Sequence, residues 1–136
     1  MRIRRYEPRD FADVDYIQRD FYLKPATQEE LRDKLEHPAW VVEEDGCIIG
    51  AAVTCPEADK MLLWSINIAP SYRGMGVGSK LLQTVIDFYH DTILYLYVEP
   101  RNPARKLYYR HGFRASQLLK DHFGKGFDTI EMYKRC

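Results

Sequence analysis

Cysteine is scarce in this chain: Cys47, Cys55 and Cys136 stand far apart among 136 residues and form no Cys-x-x-Cys pair. An odd, scattered set gives no disulfide framework, so a reduced, cytoplasmic protein is expected. Net charge is missing as well, because 20 Lys and Arg balance 20 Asp and Glu. No overall electrostatic footprint points to nucleic acid or to an anionic membrane, and neither is expected as a partner. Long apolar runs are absent; Cys47–Val53 and Ile93–Val98 fall far short of a bilayer span. The opening MRIRRYEPRD is charged with no apolar stretch behind it, so no secretory signal is expected. His37, His90, His111 and His122 show neither an HExxH pair nor a Cys/His ligand spacing, and no metal is expected.

What is present suits a folded chain. An apolar fraction of 46% is too high for disorder, and 8 glycines with 7 prolines are too few for a collagen-like or low-complexity segment. The length fits one domain, 1–136, large enough for a single core, and no repeat or linker divides it. Ile3–Tyr6 reads as a strand, and Asp10 as an N-cap before Phe11, Val14, Ile17 and Phe21 at helical spacing, with Pro25 as the breaker. Thr27-Gln-Glu-Glu30 is a capping box for a second helix carrying Leu31 and Leu35, ended by Pro38. Trp40–Glu44, Asp45-Gly46 and Cys47–Thr54 form a hairpin pattern, since Asp-Gly supplies positive φ in a tight turn. Strands are expected over Met61–Ala69, Ile93–Val98, Phe113–Leu119 and Phe127–Lys134, the last two joined by Gly124-Lys-Gly126. Helices are expected over Val77–Tyr89 and Asn102–His111, the latter stopped by Gly112. The resulting order is that of a mixed α/β sheet with helices, not a run of uniform βαβ units.

The most informative segment is Ile68-Ala-Pro-Ser-Tyr-Arg-Gly-Met-Gly-Val-Gly-Ser-Lys80, three alternating glycines between a strand and an amphipathic helix. Glycines let backbone approach a ligand closely, and the free N–H groups of a helix start favour an anion. Gly78-Ser79-Lys80 has the wrong order for a mononucleotide P-loop, and Gly74-x-Gly76-x-Gly78 is not the dinucleotide spacing. Taken alone, the segment is read equally well as a glycine turn without a ligand.

A second segment narrows the choice. Arg73-x-x-Gly76-x-Gly78, preceded by Ile68-x-Pro70, resembles the acetyl-CoA pyrophosphate loop of the GNAT superfamily of N-acetyltransferases. Ala104-Arg-Lys-Leu-Tyr-Tyr-Arg-His-Gly-Phe113 is similar to that family's A-x-x-L-Y-x-x-x-G-F helix, in the right order and separated by one strand. The resemblance runs over essentially the whole chain. It implies an α/β (α+β) GNAT fold, a mixed and mostly antiparallel sheet of about seven strands flanked by about four helices. It further implies acetyl-CoA as cosubstrate and an amine acceptor on a peptide, protein or small molecule. Arg73, Gly74, Met75, Gly76, Val77, Gly78 and Ser79 would hold the pyrophosphate. Ile66, Asn67 and Ile68 would pair with the pantetheine arm and offer an N–H to the thioester carbonyl, steadying the oxyanion as a neutral amine attacks. Tyr108, the Tyr of the Leu-Tyr pair, would be the general acid: a phenol near pKa 10 stays protonated beside a thiol of roughly pKa 8–9. Tyr109 lies about 100° around the helix, so only one of the two faces the thiol.

Two positions depart from the family pattern. Asn102 stands six residues before Tyr108 where many relatives have an Asn seven before, so it is read either as a cofactor contact or as the cap of the helix beginning at Pro103. Many relatives that acetylate protein N-termini place a Glu where this chain has Tyr97; Glu99, two residues on, would hold a proton-accepting water or lie in solvent at a strand end. His122-Phe123 and Asp128-Thr-Ile-Glu-Met132 resemble the C-terminal stretch of protein-acetylating members, ribosomal-protein alanine acetyltransferases among them. The resemblance therefore implies peptide or protein amines first, with small amines also open, and relatives of this kind often form homodimers. The alternative reading is a non-catalytic acyl-CoA sensor or structural subunit, which would need neither Tyr108 nor an open acceptor cleft.

Overall fold

The computed structural model describes residues 1–19 and 26–136. Seven strands, β1 (Arg2–Arg5), β2 (Ala39–Glu44), β3 (Cys47–Glu57), β4 (Lys60–Ile68), β5 (Ile93–Val98), β6 (Arg114–Leu119) and β7 (Thr129–Arg135), form one sheet in the order β1-β2-β3-β4-β5-β7-β6. Helices α1 (Phe11–Arg19), α2 (Gln28–Lys34), α3 (Val77–Phe88) and α4 (Ala104–Arg110) flank it. Every neighbouring pair is antiparallel except β4 with β5. This is the expected GNAT arrangement, with the expected numbers of strands and helices among the described residues.

Strand alternation sorts the side chains into two layers. Val42, Ala52, Leu94, Leu96 and Val98 face α3, which contributes Val77, Leu81, Leu82, Val85 and Ile86, and the same cluster takes Tyr108, Phe113 and Met132. Val41 and Ala51, one residue out of phase, face Val14 of α1 and Leu31 of α2. Farther along that second face lie Cys55, Leu62 and Tyr95, packed with Trp64 and Tyr97.

The parallel pair is the unusual one. β4 and β5 are bonded only at Met61↔Leu94 and Leu62↔Tyr95, although the strands continue to Ile68 and Val98. Just past Leu62 the β3–β4 register shifts, with Val53 opposite Ser65 and Thr54 opposite Leu63, so Trp64 is an extra residue on β4. Such a bulge bends a strand and increases its twist, and here it begins where pairing to β5 stops. Beyond it the two strands part, leaving a wedge between their C-terminal ends.

Local signals hold where a short-range interaction decides them. Asp45 and Gly46 take φ of 50° and 79° in the β2–β3 turn, and Glu30 N–H donates to Thr27 Oγ1 at 3.1 Å in the capping box. β3 runs past the expected Thr54 to Glu57 and includes Pro56; β2 pairs only as far as Val53, so no ladder bond on that side is lost to the missing N–H. One expectation is corrected. Asp10 does not cap the first helix, because a 3-10 turn over Pro8–Asp10 precedes it. The Asp10 carboxylate turns back instead, accepting from Glu7 N–H at 2.9 Å and from Arg4 Nη1 and Nη2 at 2.8 and 2.9 Å. That bond to Arg4 holds the buried carboxyl below the usual range. Phe21 and Pro25, assigned to that helix and its end, lie outside the described residues.

Candidate active site

The glycine segment lies at the mouth of the wedge. After β4 the chain makes a 3-10 turn at Pro70–Tyr72, passes Arg73 in extended conformation, and enters α3 through Gly74 and Gly76 at φ of 77° and 80°. A Cβ at either glycine would meet nothing within 4 Å, so glycine is demanded there by the left-handed backbone and not by crowding. Gly76 is the residue before α3, and the first-turn amides of Val77, Gly78 and Ser79 have no intrahelical acceptor. Val77 is buried in the core and Met75 is exposed. A groove of about 230 Å³ follows the segment, lined among others by Ile68, Arg73, Gly76, Ser79, Leu107 and Arg110. Arg73 Nε donates to Ile68 O at 3.0 Å, tying the loop to the end of β4. Two guanidinium groups beside a helix start make the groove suitable for a polyanion.

Tyr108 and Tyr109 are separated as the helix period requires. Tyr108 is 8% exposed and packs against Phe113 with ring centroids 6.0 Å apart; Tyr109 is 59% exposed under Arg114. Ile66 and Ile68 pack against the same cluster as Tyr108, which puts the end of β4 and the phenol on one side of the sheet. Asn67 points the other way and is 2% exposed, with its Oδ1 unpartnered among the described residues. Asn102 Oδ1 accepts from Ala104 N–H at 2.9 Å, so this side chain closes the start of α4. Arg105 Nη1 donates to Pro100 O at 2.7 Å in the same turn.

Glu99 follows the last residue of β5 and lies in solvent. The half-buried Tyr97 has company that sequence reasoning did not assemble. Its ring is 4.5 Å from that of His122, and His122 Nδ1 lies 2.8 Å from Thr129 Oγ1. Tyr95 stands 5.6 Å away on the same face. Burial, and after it the charges of Glu57 and Glu131, pushes the Tyr97 phenol up. The one signal for this cluster was the position of His122-Phe123, since the contact itself joins residues 25 positions apart. Among the described residues no group of three or more His, Cys, Asp or Glu stands close enough to hold a metal ion.

Residues 4–113 match the model of the Acetyltransferase (GNAT) family. The chain belongs to that family. It is 29% identical to an uncharacterised N-acetyltransferase of Methanocaldococcus jannaschii over 143 aligned positions, covering 99% of this chain and 92% of that one. It is 34% identical to the [ribosomal protein bS18]-alanine N-acetyltransferase of Haemophilus influenzae over 85 positions, 60% of this chain and 58% of that protein. The solved structure of the ribosomal-protein-alanine N-acetyltransferase of Brucella melitensis superposes with a TM-score of 0.85 at 25% identity, over the full length of both chains. The protein is thus an acyltransferase of the GNAT type, an N-acetyltransferase, and GNAT acetyltransferases use acetyl-CoA as donor. No helix among the described residues is long and apolar enough to cross a membrane.

Proposed function

We propose that residues 1–136 act as one catalytic domain that moves an acetyl group from acetyl-CoA to the amine of a peptide or protein N-terminus. The observation that carries this reading is the wedge. β4 and β5 pair only at Met61↔Leu94 and Leu62↔Tyr95, and the glycine groove borders the end of β4 at Ile68. Tyr97 and His122 stand together off β5, so donor and acceptor would meet across the gap between the two strands. Arg73 and the amides from Gly74 to Ser79, Met75 and Val77 through their backbone alone, would hold the pyrophosphate. The edge of β4 over Ile66, Asn67 and Ile68, released from β5, would pair with the pantetheine amides and turn one N–H to the thioester oxygen. Asn102 serves the cofactor indirectly, by fixing the start of α4.

Chemistry then asks little more than position and two proton transfers. Tyr108, on the wedge side of α4, would protonate the departing thiolate. The amine gives up its proton on the opposite face, where Glu99 can hold a water at the strand end. The name of the Haemophilus influenzae relative, an alanine N-acetyltransferase, supports a peptide amine as acceptor. A thiol-release assay with acetyl-CoA tests the reading, using peptides with Ala, Met, Ser or Gly at the N-terminus, an N-blocked lysine peptide, and spermidine. Turnover confined to the free N-terminal peptides is expected. Turnover only with lysine or spermidine would overturn the acceptor class.

A further inference from the structure

His111 ends α4 behind the glycine groove, and its hydrogen-bond roles can be fixed from outside inward. Gln83 Nε2 donates to Asp87 Oδ1 at 2.8 Å, which orients the amide and leaves Gln83 Oε1 as acceptor, 3.1 Å from His111 Nδ1. Nδ1 therefore carries a hydrogen, and in the neutral ring Nε2 keeps its lone pair. Ser79 Oγ lies 2.8 Å from that Nε2, so the Ser79 hydrogen is committed to the imidazole. The charged groups around the ring come from three elements: Arg110 on α4, Lys134 on β7, and Asp87 on α3 acting through Gln83. Burial first, then Arg110 and Lys134, holds His111 below the usual histidine range, and the neutral ring is the resting form.

This has a cost at the groove. Ser79 is a lining residue, and while its hydrogen points at His111 it shows only oxygen lone pairs to an incoming anion. A proton on Nε2 reverses the chain. The imidazolium then donates to Ser79 Oγ, and the hydroxyl hydrogen turns into the groove. The phosphate's own charge offsets the repulsion from Arg110 and Lys134 that had kept the ring neutral.

We propose that His111 is a positioning residue for the cofactor: binding of the acetyl-CoA pyrophosphate takes up one proton from solvent onto His111 Nε2, which converts Ser79 from an acceptor into a donor toward phosphate. The inference rests on the acetyl-CoA reading above and deepens it.

Calorimetric titration of acetyl-CoA at pH 7 in buffers of differing ionisation enthalpy counts the protons taken up. The parent protein is expected to take up more than His111→Gln, by about half to one proton per site. The cofactor's own phosphate titration is common to both proteins and cancels in the difference. Between pH 6 and 8 the parent's affinity should fall with rising pH up to about tenfold per unit more steeply than the variant's. A second measurement needs no variant: the Cε1–H resonance of His111, followed by NMR, should titrate at higher pH with acetyl-CoA than without. Equal proton counts in parent and variant, or a His111 midpoint that stays or moves down, overturns the inference while leaving acetyl-CoA binding intact. A parent that does not bind acetyl-CoA at all overturns the cofactor reading, and this inference with it.

Discussion

Tyr108 and Tyr109 share a peptide bond, yet one is packed into the core and the other lies in solvent. Tyr108→Phe keeps the ring and its contact with Phe113, so the packing of α4 and acetyl-CoA affinity should hold. The hydroxyl meets a neutral thioester sulfur in the ground state and gains value only as charge grows on the leaving sulfur. Turnover should therefore drop about 10²–10⁴-fold, with Tyr109→Phe near parental in the same assay. Equal losses in the two variants, or a loss at 108 expressed as weaker acetyl-CoA binding, would make Tyr108 a packing residue. At Glu99 the test is a pH–rate profile. If the carboxylate orders a proton-accepting water, Glu99→Gln should lower turnover at neutral pH and recover partly as pH rises; an unchanged profile leaves it a solvated strand end. Neither single-residue role was decided by exposure in the sequence. The resemblance to the family's Leu-Tyr pair pointed to Tyr108, and the helix angle set Tyr109 apart from it, whereas the Tyr97–His122 contact crosses between a strand and a loop and left no local spacing to read.

The loop between β4 and α3 is the element on which the proposed acetyl-CoA site rests most. Gly76→Asp places a side chain at φ near 80° and a negative charge at the helix start. The backbone term alone is worth about 1–2 kcal/mol, which Gly76→Ala measures as lost thermal stability. The charge should appear as an additional loss of acetyl-CoA affinity, tenfold or more by calorimetry, in the Asp variant only. A folded Gly76→Asp protein that binds as tightly as Gly76→Ala would remove the loop from the site. This element, the Asp45-Gly46 turn and the Thr27 capping box were all legible, because positive φ and first-turn amides restrict residue choice within four positions. Asp10 misled for the same reason: it is a good capping residue, and only the folded chain shows that its carboxylate is claimed by Arg4 across the β1 strand.

That Arg4–Asp10 pair acts on the molecule as a whole, since it fastens the edge strand β1 to the first helical turn and reaches Glu43 on β2. A carboxyl held below its unfolded value contributes stability that is present above the ordinary carboxylate range and is lost as pH falls through the lowered value. Parent protein should lose melting temperature progressively below about pH 4, and Asp10→Asn should flatten that decline while costing about 2 kcal/mol at pH 7. An acid limb that is identical in the variant would assign the decline to other groups. The sheet order was implied by the family pattern. The early separation of β4 from β5 was not visible in either strand, because it comes from register: one surplus residue at Trp64 against β3. That separation has a consequence for how the protein meets other chains. A strand with vacant backbone groups at the rim of a sheet invites any passing strand to pair with it, and rims are where aggregation begins. Here part of such a vacancy lies inside the sheet, between two neighbours that close it off at Leu62 and Tyr95. In the acetyl-CoA reading proposed above, the pantetheine chain would occupy that slot, where a polypeptide strand with side chains on both faces would be harder to seat, so the open pairing edge would be withheld from other copies of the chain.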